Sequence, residues 1–91
     1  MVDCVDIKAV GRRLKRIEGQ VRGIHKMVEK DSPCEDVLIQ ISSVKQALHK
    51  TGQLILKGHL HHCVVDGIKH GDADETMQKL SNALEQFTKN G

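Results

Sequence analysis

From Val10 to Phe87 apolar residues recur every three or four positions, and the pattern is interrupted by a single proline, Pro33. A period near 3.6 is the signature of helices that bury one stripe; strands would need alternation. Val10, Leu14, Ile17, Val21, Ile24 and Val28 follow one another at steps of four, three, four, three and four. This heptad-like seam predicts a first helix from about Ile7 to Lys30. Gly11, Gly19 and Gly23 lower its intrinsic propensity, so it needs tertiary packing to persist. At Asp31-Ser32-Pro33-Cys34-Glu35, Ser32 can cap a new helix, Pro33 suits the first helical position and Glu35 completes a capping box.

From Cys34 the apolar positions Val37, Ile41, Val44, Leu48, Ile55, Leu56, Leu60 and Val64 continue to about Lys69. The second helix would then be about 35 residues and ~50 Å long. That exceeds what one small core requires, so part of it should pack against another chain. Asp72-x-x-Glu75 resembles a second capping box, and Met77, Leu80, Leu84 and Phe87 keep helical spacing for a third helix. The expectation is an all-α protein with three helices per chain, residues 1–91 forming a single domain.

A chain of 91 residues buries a limited core. Its one aromatic residue, Phe87, excludes a stacking platform for bases or cofactor rings. Stability must come from aliphatic packing, helped by a partner subunit. No basic segment followed by an apolar run opens the sequence, and no run of eighteen apolar residues occurs, so no membrane association is expected. Three cysteines in such a chain suggest the reducing cytoplasm, where thiols act as ligands or reactive groups. Charge is uneven: residues 1–30 hold eight Lys/Arg against four Asp/Glu, a local +4, whereas the whole chain carries +2. Arg12, Arg13, Lys15, Arg16, Arg22 and Lys26 have the density to meet phosphates, without any helix-turn-helix, zinc-finger or Gly-rich loop spacing beside them.

His59 and Cys63 stand four apart, so on a helix they share one face and can grip one metal ion. Cys34, near a helix start, feels unpaired N–H groups and the positive dipole end, which favours metal binding or nucleophilic reactivity; a small buried hydrophobe is the plainer reading. Along one continuous helix Cys34 would lie ~38–44 Å from His59 and Cys63. A second copy running antiparallel would bring them together and generate two identical sites. Its axis would cross near Ala47 and Leu48, where Ser43, Ala47 and Gly52 permit close approach. Two thiolates and one imidazole suit Cu(I), one per subunit, whereas Zn(II) usually recruits a fourth ligand. His61 and His62 point off that face, and His25, His49 and His70 lack ligand spacing.

The segments Arg13-Leu14-Lys15-Arg16-Ile17-Glu18-Gly19-Gln20-Val21-Arg22-Gly23-Ile24, Gln40-Ile41-Ser42-Ser43-Val44 and His59-Leu60-His61-His62-Cys63-Val64 resemble the copper-sensing operon repressors of the CsoR/RcnR type. The resemblance spans nearly the whole chain. It implies an antiparallel helical-bundle dimer assembling into a tetramer, which binds double-stranded operator DNA until metal or thiol chemistry releases it. Cys34, His59 and Cys63 match the copper branch. The nickel/cobalt branch carries a His near the N-terminus, where this chain has Val2 and Cys4, and the persulfide-sensing branch typically lacks the histidine. In two places the chain departs from the copper pattern: Pro33 stands where a Tyr usually precedes the first Cys, and Lys79 where a Glu hydrogen-bonds the coordinating His. Glu75 or Asp74 could supply a substitute acceptor.

The expected function is a cytoplasmic, metal-responsive repressor. Its apo tetramer would hold DNA through Arg12, Arg13, Lys15, Arg16 and Arg22, with Lys45 and Lys50 adding contacts, and Cu(I) bound at Cys34, His59 and Cys63 would release it. A second reading keeps DNA binding but makes persulfides or oxidants the signal, through Cys34 and Cys63. A third, a copper chaperone or storage protein, leaves the basic first helix unexplained. No nucleophile–base–orienter set can be assembled, which argues against an enzyme.

Overall fold

The computed structural model describes residues 5–59 and 65–89. Four helices follow in order: α1 (Ile7–Glu29), α2 (Cys34–Gly58), α3 (Val65–His70) and α4 (Ala73–Lys89). No strand occurs among the described residues. The first and third expected helices appear as α1 and α4. The long second helix is described as two elements, α2 and α3, so four helices stand where three were expected; the stretch between them, residues 60–64, lies outside the described residues. No helix among the described residues is long and apolar enough to cross a membrane.

The α1–α2 connection differs from expectation by one residue. Asp31 takes a left-handed φ of 57°. Its N–H donates to the Val28 carbonyl at 3.1 Å and the Ser32 N–H to the Met27 carbonyl at 2.9 Å, a Schellman closure of α1 with Asp where Gly is usual. Ser32 is thereby occupied in ending α1. The Pro33 carbonyl accepts from the N–H groups of Asp36, at 3.0 Å, and Val37, at 3.2 Å, so Pro33 is the N-cap and Cys34 the first helical residue. Glu35 therefore falls one place short of a capping box on Pro33.

Residues 8–51 form one compact unit of α1 and most of α2, joined by this short turn. Each helix carries two heptad rows. On α1, Val10 and Ile17 are buried and Ile24 half-buried, whereas Leu14, Val21 and Val28 remain 44–60% exposed. On α2, Val37 is half-buried and Val44 and Thr51 buried, whereas Leu38, Ile41 and Leu48 are exposed. One row per helix is thus covered within the chain and one left bare, as helices that also face another molecule require. Thr51, a polar residue in a buried row, is tolerated because its hydroxyl donates to the Ala47 carbonyl at 2.8 Å.

The second unit contains, besides residues 5–7, the end of α2 from Gly52, α3 and α4. Asp72 caps α4 as its spacing predicts: its Oδ1 accepts the Glu75 N–H at 3.2 Å, and its carbonyl the Thr76 N–H at 3.0 Å. α3 and α4 pack together, and a Cβ added at Gly67 would come within 2.9 Å of Thr76 Oγ1. At Gly52 a Cβ would lie 2.7 Å from Phe87 Cζ. Gly52, expected to admit a partner helix, instead admits Phe87 of its own chain, because the ring at the end of α4 needs a flat surface on α2.

Candidate metal centre

His59 follows the last residue of α2 and is half-buried. It lines a cavity of about 480 Å³ with Gly52, Ile55 and Leu56 of α2 and Thr76, Lys79, Leu80, Ala83, Leu84 and Phe87 of α4. The cavity arises because both helices present their apolar stripe at three- and four-residue spacing, while glycine at position 52 leaves room beneath the Phe87 ring. Among the described residues, the polar side chains that line it are those of His59, Thr76 and Lys79.

Cys34 is exposed, free and the first residue of α2. Cys63, the third expected ligand, lies outside the described residues, as do Cys4, His61 and His62. Among the described residues no three His, Cys, Asp or Glu side chains converge to hold a metal ion. His59 is one imidazole on a mostly apolar wall that holds no described carboxylate to attract a hard cation, and Cys34, which does not line that wall, is a free thiol; each donor type by itself suits a soft cation.

Glu75 is not in that wall. Its carboxylate pairs with Lys79 Nζ at 3.0 Å, both side chains largely exposed, so the pair is solvent-screened and contributes little to stability. Lys79, which departs from the copper pattern in the sequence, shares the cavity with His59. Thr76 was missed; it falls in the stripe with Lys79, Leu80 and Phe87 but reads as polar, and only the packing of α4 turns it inward.

Arg12, Arg13, Lys15, Arg16 and Arg22 are all exposed on α1, and Lys45 and Lys50 on α2. Arg22 is held by Glu18 at 2.9 Å, a pair about two-thirds exposed that a phosphate can displace. Of the remaining histidines, His25 and His49 are exposed, and His70 lies 3.7 Å from Asp66 one turn back on α3.

A family model for metal-sensitive transcriptional repressors matches residues 6–86. The chain is 49% identical over 80 residues to the copper-sensing transcriptional repressor CsoR of Bacillus subtilis (strain 168), covering 88% of this chain and 79% of that one. Its fold matches the crystal structure of the copper-sensing repressor CsoR with Cu(I) from Geobacillus thermodenitrificans NG80-2 at a TM-score of 0.85 and 43% identity, over 89% of this chain and 84% of that chain. The nickel-responsive transcriptional regulator InrS matches at a TM-score of 0.77 and 34% identity, over 92% of this chain and 94% of that chain.

Proposed function

Since this chain belongs to the metal-sensitive transcriptional repressors, we propose that it is the copper-responsive kind: a cytoplasmic repressor, one metal-sensing, DNA-binding domain per chain, that holds operator DNA in its apo form and releases it on binding Cu(I). The observation that carries the reading is the wall around His59. It contains an imidazole but no described thiol or carboxylate, while Cys34 stands exposed and free at the start of α2. An imidazole on an apolar wall has its further ligands supplied by Cys63, four residues on, and by Cys34 of a second copy. The bare rows Leu14-Val21-Val28 and Leu38-Ile41-Leu48 support that copy, since burying each such side chain contributes ~1.5–3 kcal/mol. An antiparallel dimer has two such sites, and two dimers make the tetramer.

Cys34, His59 and Cys63 would hold Cu(I), a soft cation suited to two thiolates and one imidazole. His59 would offer a ring nitrogen from the cavity wall, and Cys34 and Cys63 would bind as thiolates, their protons passing to water. Arg12, Arg13, Lys15, Arg16 and Arg22 face the phosphates from α1, joined by Lys45 and Lys50. Glu75, the substitute acceptor weighed from the sequence, is paired with Lys79 and largely exposed, so it leaves the acceptor role to another group. DNA is released because the packing that joins Cys34 to His59 is not the one that aligns the basic faces; ligand shifts an equilibrium only through such a difference.

The test is an anaerobic titration of Cu(I) into the complex of the protein with a duplex it selects from a random library. One Cu(I) per subunit should release the DNA, and His59→Ala or Cys34→Ala should abolish release. Release by Ni(II) alone, or by persulfide alone, would overturn the copper reading.

A further inference from the structure

We infer that Thr76 is a positioning residue for His59, its hydroxyl accepting the ring N–H that the metal leaves free; the inference rests on the metal site proposed above. A ligating imidazole offers one nitrogen to the metal and carries its proton on the other, and that N–H needs an acceptor to fix the tautomer and the ring plane. Among the described residues, the cavity His59 lines offers two other polar side chains, Thr76 and Lys79. An ammonium group has donors only, whereas a hydroxyl can accept. Thr76 is therefore the side chain among the described lining residues that can accept. No carboxylate lines the cavity among the described residues; at the start of α4, Asp72 caps the helix and Glu75 takes the Lys79 ammonium.

The side chain of Thr76 is also held in place. Its Oγ1 and Cγ2 fill space left by the missing side chain of Gly67, where a Cβ would lie 2.9 and 3.2 Å from them. Its N–H is tied to the Asp72 carbonyl at 3.0 Å. Close packing of α3 on α4 thus limits the rotamers open to Thr76 while its residue remains on the wall with His59.

The two roles, packing on Gly67 and accepting from His59, separate by substitution. Thr76→Val keeps the shape and removes the hydroxyl; Thr76→Ser keeps the hydroxyl and removes a methyl. Cu(I) affinity is read by anaerobic competition with a chromophoric Cu(I) chelator, the His59 tautomer by ring ¹⁵N–¹H NMR of the Cu(I)-loaded protein, and folding by circular dichroism. Thr76→Val should keep its helicity, bind Cu(I) about 10-fold more weakly and shift the His59 ring signals, and Thr76→Ser should restore both. Equal affinity loss in the two variants, or unchanged Cu(I) binding and ring signals in Thr76→Val, would overturn the inference while His59→Ala still abolishes binding. Unchanged Cu(I) affinity in His59→Ala would instead overturn the metal site on which it rests.

Discussion

Two positions carry local conflicts whose resolution can be measured. Asp31 holds a left-handed φ of 57° at the end of α1, and its negative charge sits at the negative end of the helix dipole. Asp31→Gly removes the Cβ strain and the charge together, so it should stabilise the protein by about 1 kcal/mol, read as a higher denaturant midpoint at unchanged slope. Gly52 is the opposite case. Alanine ordinarily gains up to ~1 kcal/mol over glycine inside a helix, but here the new Cβ would meet the Phe87 ring, and displacing an aromatic ring costs ~1–3 kcal/mol. Gly52→Ala should therefore destabilise by about 1 kcal/mol. In a Phe87→Ala background the same change should become neutral or stabilising, and a sign unchanged between backgrounds would show that the ring is not the cause.

At the scale of the element, α1 combines one covered row, one bare row and a basic face. Among the described residues no atom outside the helix's own backbone lies within 4 Å of a Cβ added at Gly11 or Gly23, so no described neighbour requires glycine there. The basic face predicts how DNA affinity responds. Arg13 and Arg16 are exposed cations on neighbouring turns, and the salt slope of binding becomes shallower by ~0.9 for every phosphate the protein no longer neutralises. Arg13→Ala/Arg16→Ala should bind all duplexes more weakly with a slope shallower by about 2, measured by fluorescence anisotropy from low to moderate salt. An unchanged slope would mean that α1 presents these charges only to solvent.

For the whole molecule the decisive question is where the ligands of one site come from. Cys34 begins α2 and His59 follows its end, so the proposed site draws on two chains. Mixed dimers test this directly. A Cys34→Ala subunit paired with a His59→Ala/Cys63→Ala subunit should retain one complete site and lose the other, giving half the normal Cu(I) stoichiometry with two sulfurs and one nitrogen by X-ray absorption. Full loss of tight binding in that pair would exclude Cys34 acting from the neighbouring chain. Sedimentation of the apo protein should give a dimer or tetramer, because the bare rows on α1 and α2 leave too much apolar surface for a monomer.

Helix content, the bounds of α1, and the start of α4 with its cap at Asp72 were legible in the chain itself, because periodicity and caps depend on residues within four positions of one another. The basic face of α1 was legible for the same reason, and the family through three short segments. The capping box expected at Ser32 failed because the same residue serves the end of α1, and a rule for helix starts does not weigh a competing helix end. Packing decided which heptad row is covered: Val10 and Leu14 are both apolar, yet Val10 is buried and Leu14 exposed. It likewise decided that Gly52 receives Phe87 and that Thr76 and Lys79 share a cavity with His59. Those neighbours come from tens of positions apart in the chain, and composition and spacing carry no record of which distant side chain fills a given space.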